Sequence, residues 1–323
     1  MSDHSAAHTP TLALTRRLRT PKAYLGWAFA VLVPVALTGG ALGDELRVLG
    51  LAITGSVCAD LLFALAIGFA LQRLRRDAPA RLTRPPWRGL LARRRPPAPF
   101  WPSGALLAGA IIGLLLDPSS PPSAAFAAGV LASASKHTIR YRARHIFNPA
   151  AFGLLAGSLL FTEQISWWGA LPALPLAATV VMILAGAIVL DRSRKLPAAL
   201  AFLLAYYGIY LIVALTDPHH ATEAFRSPIS NATIFFAVFM LSDPPTAPIT
   251  IPAQLTYGAL IAAIAVTLEL TSHSQTFPLV ALCAGNLYAA ATRARRTRRN
   301  RAQRAVRAAA KTPSRGDTAA RYT

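Results

Sequence analysis

Long apolar stretches separated by short basic or proline-rich loops set the pattern of this chain. A helix needs about 20 mostly apolar residues to cross a bilayer. Six stretches come near that length: 23–42, 50–71, 169–190, 196–215, 253–270 and 276–290. Four more are shorter: 102–116, 124–135, 146–161 and 230–241. Together they predict an all-α polytopic membrane protein of about ten transmembrane segments. The stretch 23–42 is too long for a typical signal-peptide core and lacks a small-x-small cleavage site, so it is expected to be the first span.

Composition agrees. The 323 residues are 54% apolar and only 14% charged, against about 25% charged in soluble domains. Two cysteines, Cys58 and Cys283, exclude a disulfide scaffold. The net charge of +20 would suggest nucleic acid in a soluble protein, but its placement points to lipid instead. With ten spans, thirty-one of the 33 Lys and Arg fall on one face, leaving only Arg47 and Arg226 on the other. The positive-inside rule then puts both termini in the cytoplasm, the Ala- and Arg-rich composition suits a bacterial plasma membrane, and no nucleic-acid partner is expected. The domains read as a basic tail (1–22), a first five-segment repeat (23–161, with an Arg/Pro-rich loop at 72–100), a second five-segment repeat (169–290) and a basic, disordered tail (291–323). Lipid attraction of about 1 kcal/mol per basic residue accounts for the last.

Ten spans divide into five and five, and because five is odd the second set starts from the opposite face. That is the inverted-repeat plan of many transport folds. The third span ends in Asp117-Pro118 and the eighth, its repeat partner, in Asp243-Pro244. Both are short and followed by several prolines, which stop helices. Short, Pro-interrupted segments at corresponding positions predict broken helices around a central site. The connection 242–252 has no Lys or Arg, as suits a turn tucked into the membrane rather than one facing headgroups.

Asp60, mid-span in Ser56-Val-Cys-Ala-Asp60, is a candidate ion or proton relay, because a carboxylate at that depth costs about 2.5–3.5 kcal/mol on insertion scales. Glu269, at the end of the ninth span, can reach the interface, and a structural role is expected for it. Asp117 and Asp243 suit turns, and could also set a carboxylate beside a cofactor or ion. The run 135–149 packs several cations ahead of Asn148-Pro149. An Asn cap with Pro at the first turn is a sound helix start, and a helix N-terminus faced by cations suits a phosphate-like anion. Lys136, His145 and Asn148 are its candidate site residues. No metal site, dinucleotide fingerprint or Walker A sequence is expected: His219 and His220 are adjacent and share no helical face.

Two stretches resemble the RnfD/NqrB family of membrane subunits: Arg144-His-Ile-Phe-Asn148-Pro149-Ala-Ala-Phe-Gly153, and residues 230–246 with Ser242-Asp243-Pro244-Pro-Thr246. The resemblance covers roughly residues 100–290. It implies a ten-helix inverted repeat related to urea channels, electron transport coupled to ion movement, redox partner subunits, and site roles for Pro149, Pro244 and Thr246 beside the residues above. The family's flavin-attachment sequence, Ser/Thr-Gly-Ala-Thr, is not present. Ser230-Asn231-Ala232-Thr233 is only superficially similar and stands in a different place, directly ahead of the span that ends in Asp243-Pro244. Non-covalent FMN or riboflavin is therefore expected rather than covalent FMN, in what looks like a divergent, enediyne-biosynthesis-like branch. The alternatives are a small-solute or ion channel on the same fold without redox chemistry, and an assembly scaffold.

Overall fold

The computed structural model describes residues 20–40, 42–76, 103–142, 144–161, 165–272 and 275–309. Most of the arginine-rich loop, most of the N-terminal tail and residues 310–323 lie outside them. All ten predicted segments are helical. In order they are Pro21–Leu37, Leu42–Arg76, Ser103–Leu115, Pro122–Thr138, Pro149–Phe161, Leu176–Ser193, Leu196–Val213, Ile229–Phe235 with a π-helical turn at Phe236–Met240, Ile251–Ser272 and Phe277–Ala309. Four of these are long and apolar enough to cross a bilayer, and several shorter apolar helices accompany them. The protein is thus a multi-pass membrane protein whose helices expose Leu62, Leu65, Leu159, Leu176 and Leu204, side chains for which lipid is a suitable solvent.

Three features went unpredicted. A short helix, Pro218–Ala224, precedes the eighth span, and a two-stranded hairpin, Arg140–Tyr141 with Arg144–His145, fills the loop before the fifth. The tenth helix also runs on to Ala309, so residues 291–309 are helical where a disordered tail was expected. Ala, Arg and Gln are strong helix formers, and a helix already nucleated by an anchored span adds turns cheaply.

The two halves pack alike. In the first, spans two and four run parallel at close range: a Cβ on Gly129 would stand 2.2 Å from the Ala52 carbonyl, and Ser133 Oγ donates to the Ser56 carbonyl at 2.7 Å. In the second, spans seven and nine do the same: a Cβ on Gly258 would stand 2.3 Å from the Ala198 carbonyl, and Gln254 Nε2 donates to the Arg194 carbonyl at 3.1 Å. Small residues let these backbones meet. Where the halves meet, aromatic rings fill the space. Phe29 of the first span lies 5.2 Å from Phe239 and 6.4 Å from Phe235, and Trp167 stands edge-on to Phe235.

Candidate functional site: a cavity at the broken eighth span

One cavity collects residues from both halves. Its free space, open mouth included, is about 730 Å³. It is lined by the starts of the first span (Pro21, Lys22), the third (Gly104) and the fifth (Asn148, Pro149), and by the ends of the fourth (Lys136), sixth (Ser193) and eighth (Ser242–Pro245). Repeat partners thus meet there by opposite ends: the first span begins where the sixth finishes, and the third begins where the eighth finishes. That is the geometry of inversion.

The eighth span loses its α-helical register just before the cavity. Phe236–Met240 is a π-helical turn, a distortion frequent at functional sites. From Met240 to Ile249 the chain has few helical partners for its carbonyls, and in lipid each must find one. Side chains from elsewhere supply the donors. Asn148 Nδ2 donates to the Met240 carbonyl at 3.0 Å, and Arg293 Nη1 to Pro245 at 2.8 Å. Lys195 Nζ reaches the carbonyls of Ala247 and Pro248, and Gln254 Nε2 that of Ile249. Asn148 serves twice, because its Oδ1 also accepts from the Ala151 N–H at 3.2 Å. The predicted Asn cap is therefore present, and Pro149 is the first helical residue.

Lys195 is turned inward by the end of the sixth span. Arg194 takes a left-handed conformation (φ 57°), and the N–H groups of Arg194 and Lys195 return to the carbonyls of Asp191 and Leu190. The Lys195 side chain is then only 4% exposed. Burial, opposed by Asp243 and assisted by Arg144 and Arg293, pushes its pKa down to about 8. Neither Lys195 nor Arg293 was singled out in the sequence, where each reads as one more cation of a basic loop.

Of the predicted site residues, Lys136, His145, Asn148, Pro149, Asp243 and Pro244 line this cavity. Thr246 stands behind it: fully buried, its hydroxyl lies 3.0 Å from Asp243 Oδ2. His145, on the hairpin, has Nε2 3.5 Å from the same oxygen, at ion-pair range but without a hydrogen bond to it. Asp60 sits one shell away. Its Oδ1 receives Lys136 Nζ and meets His137 Nε2, each at 2.6 Å, and Phe63 stacks on the His137 ring at 4.9 Å. Lys136 is therefore shared between Asp60 and the cavity. Asp117 stands apart, at the turn after the third span, where its Oδ1 accepts from the Ser119 N–H and hydroxyl.

The electrostatics favour an anion. A Cβ on Gly104 would lie 3.4 Å from Lys22 Nζ and 3.6 Å from Lys136 Nζ, so both ammonium groups crowd the first turn of the third span. A helix N-terminus is itself a partial positive charge. Asp60 answers Lys136, but among the described residues no carboxylate pairs with Lys22.

Residues 173–277 match the NQR2, RnfD, RnfE family. The match covers about a third of the chain, from the approach to the sixth span through the ninth, and it supports RnfD/NqrB-type membership. No curated protein matches the chain.

Proposed function

We propose that this RnfD/NqrB-type membrane subunit carries electrons through a non-covalently bound FMN or riboflavin in the cavity at the eighth span, coupled to ion movement and in concert with redox partner subunits. It would sit in a bacterial plasma membrane with both termini cytoplasmic and the cavity on the cytoplasmic side. One observation carries the reading: two cations, Lys22 and Lys136, face a helix start beside the interrupted eighth span, in a chain whose matched family works in ion-coupled electron transport.

The lining fits such a group. Leu25, Leu107, Ile111 and Phe239 offer apolar walls for a flat ring system, Lys22 and Lys136 offer cations to a phosphate, and Asp243 offers an acceptor to a ring N–H. His145 Nε2 is buried without a hydrogen-bond partner among the described residues and is available to a ligand. Bound flavin would accept and release the electrons; the chain's part is to hold it away from water and balance its charge. The aromatic packing of Phe29, Phe235 and Phe239 weighs against an open solute channel between the halves.

The test is a visible spectrum of the detergent-purified protein. Flavin absorbance that is released on denaturation is expected, with flavin content lowered several-fold in Lys136→Ala and Asp243→Asn. A colourless protein that takes up neither FMN nor riboflavin when supplied would sink the reading.

A further inference from the structure

Each parallel helix pair carries a polar cluster beyond its close contact. Spans two and four hold register over about one helical turn, Ala52 beside Gly129 and Ser56 beside Ser133, and then bring Asp60 to Lys136 and His137. Spans seven and nine do likewise, Arg194 beside Gln254 and Ala198 beside Gly258, and then bring Tyr206 to Glu269. Asp60 and Tyr206 are each eight residues beyond their close-contact alanine, Ala52 and Ala198. Tyr206 thus holds the position in the second pair that Asp60 holds in the first, while the acid of the second cluster, Glu269, stands on the other helix, eleven residues beyond Gly258. The second cluster lies at the opposite face, because the ninth span starts beside the cavity-side turn and Glu269 is near its other end.

Glu269 does not turn out to the interface, as its position in sequence suggested. Helical side chains lean toward the N-terminus, and its carboxylate reaches back into the protein. It accepts the Tyr206 hydroxyl proton at 2.6 Å, and Tyr206 is fully buried. Tyr210 hydrogen-bonds to the same carboxylate, and Thr233, at the start of the eighth span, bonds to Tyr206. Among the described residues, Tyr206, Tyr207 and Tyr210 of the seventh span are titratable groups set around it. A carboxylate held inside a spanning segment points to a functional site. The first cluster answers its acid with a lysine and a histidine, whereas this one surrounds its acid with hydroxyl groups, which can pass a proton to it and rotate to receive one back.

We propose that Glu269, with Tyr206 and Tyr210, binds a proton from the aqueous phase at the face opposite the cavity. The step is a simple protonation: the carboxylate gains H⁺ from water and returns it there or onward. This goes beyond the flavin reading and does not depend on a flavin being bound.

The test is labelling of the purified full chain with dicyclohexylcarbodiimide, which reacts with protonated carboxyl groups in apolar surroundings, followed by peptide mass spectrometry. An adduct at Glu269 is expected that falls several-fold as the medium is made alkaline. Tyr206→Phe, which keeps the ring, should shift that pH profile, and Glu269→Gln should remove the adduct while leaving the melting temperature near wild type. Absence of an adduct at every pH in folded protein overturns the proposal, as does an adduct indifferent to both pH and Tyr206→Phe. Protection by sodium at constant ionic strength also overturns it, because a metal cation would then be the occupant.

Discussion

Lys195 shows how one side chain is held at a cost for the sake of the backbone. Its ammonium group is buried against the Ala247 and Pro248 carbonyls, and its pKa falls from 10.5 to about 8. The folded chain therefore releases this proton more readily than the unfolded chain does. Below about pH 8 both states hold the proton, and the full cost of burying the charge stands. Between about 8 and 10.5 only the unfolded state holds it, so stability rises with pH across that window. At 1.36 kcal/mol per pKa unit the ceiling is roughly 3 kcal/mol. Thermal unfolding in detergent should show this rise for the wild type and a flatter profile for Lys195→Met. Equal slopes for the two proteins would mean that Lys195 is not the titrating group. Neutral lysine still donates N–H to the two carbonyls, so the turn keeps its partners while the penalty is relieved.

At the scale of elements, the close helix pairs depend on glycine. A Cβ on Gly129 or Gly258 would meet backbone oxygen at 2.2 or 2.3 Å, closer than a carbon can approach. Backbone cannot swing aside as a side chain tip can, so Gly129→Ala and Gly258→Ala should each destabilise by about 1–3 kcal/mol through forced helix separation. Gly26→Ala and Gly208→Ala, with nothing within 4 Å, are the controls and should be neutral or mildly stabilising. Melting temperatures of the four variants decide the matter: equal shifts in all of them would refute the packing account. These elements also mark what the sequence made legible. Apolar length located every span, and Asn148-Pro149 located a helix start, because both are local properties. The Asp243-Pro244 turn located the break, but not its π-helical approach or the donors that satisfy it, and Asp117-Pro118 lies apart from it. Lys195, Arg293 and Gln254 are recruited by carbonyls up to about fifty residues away in sequence, and no local pattern announces that. The inward turn of Glu269 escaped for the same reason: its partners stand on the seventh span.

For the whole molecule, inversion is what makes a single cavity out of two halves. The starts of spans one, three and five meet the ends of spans four, six and eight at one place. If both halves entered with the same polarity, the first and sixth spans would offer like ends and the Asp243 turn would lie on the far side from Lys22. On the ten-span reading of the sequence, thirty-one of the 33 Lys and Arg fall in segments of one side and Arg47 and Arg226 in segments of the other. Short basic loops resist translocation, so charge and packing independently choose the same threading. Reporter fusions can separate the two. A fusion at Asp217, between the seventh and eighth spans, should report the outside, and one at Arg94, between the second and third, the cytoplasm. Moving charge is the sharper trial: replacing Arg140, Arg142 and Arg144 by glutamine should leave both reports unchanged, because the helix pairs and the Asn148–Met240 bond still lock the fifth span to the eighth. A flipped Asp217 report in that variant would mean that charge alone sets the topology and that the packing between halves follows from it.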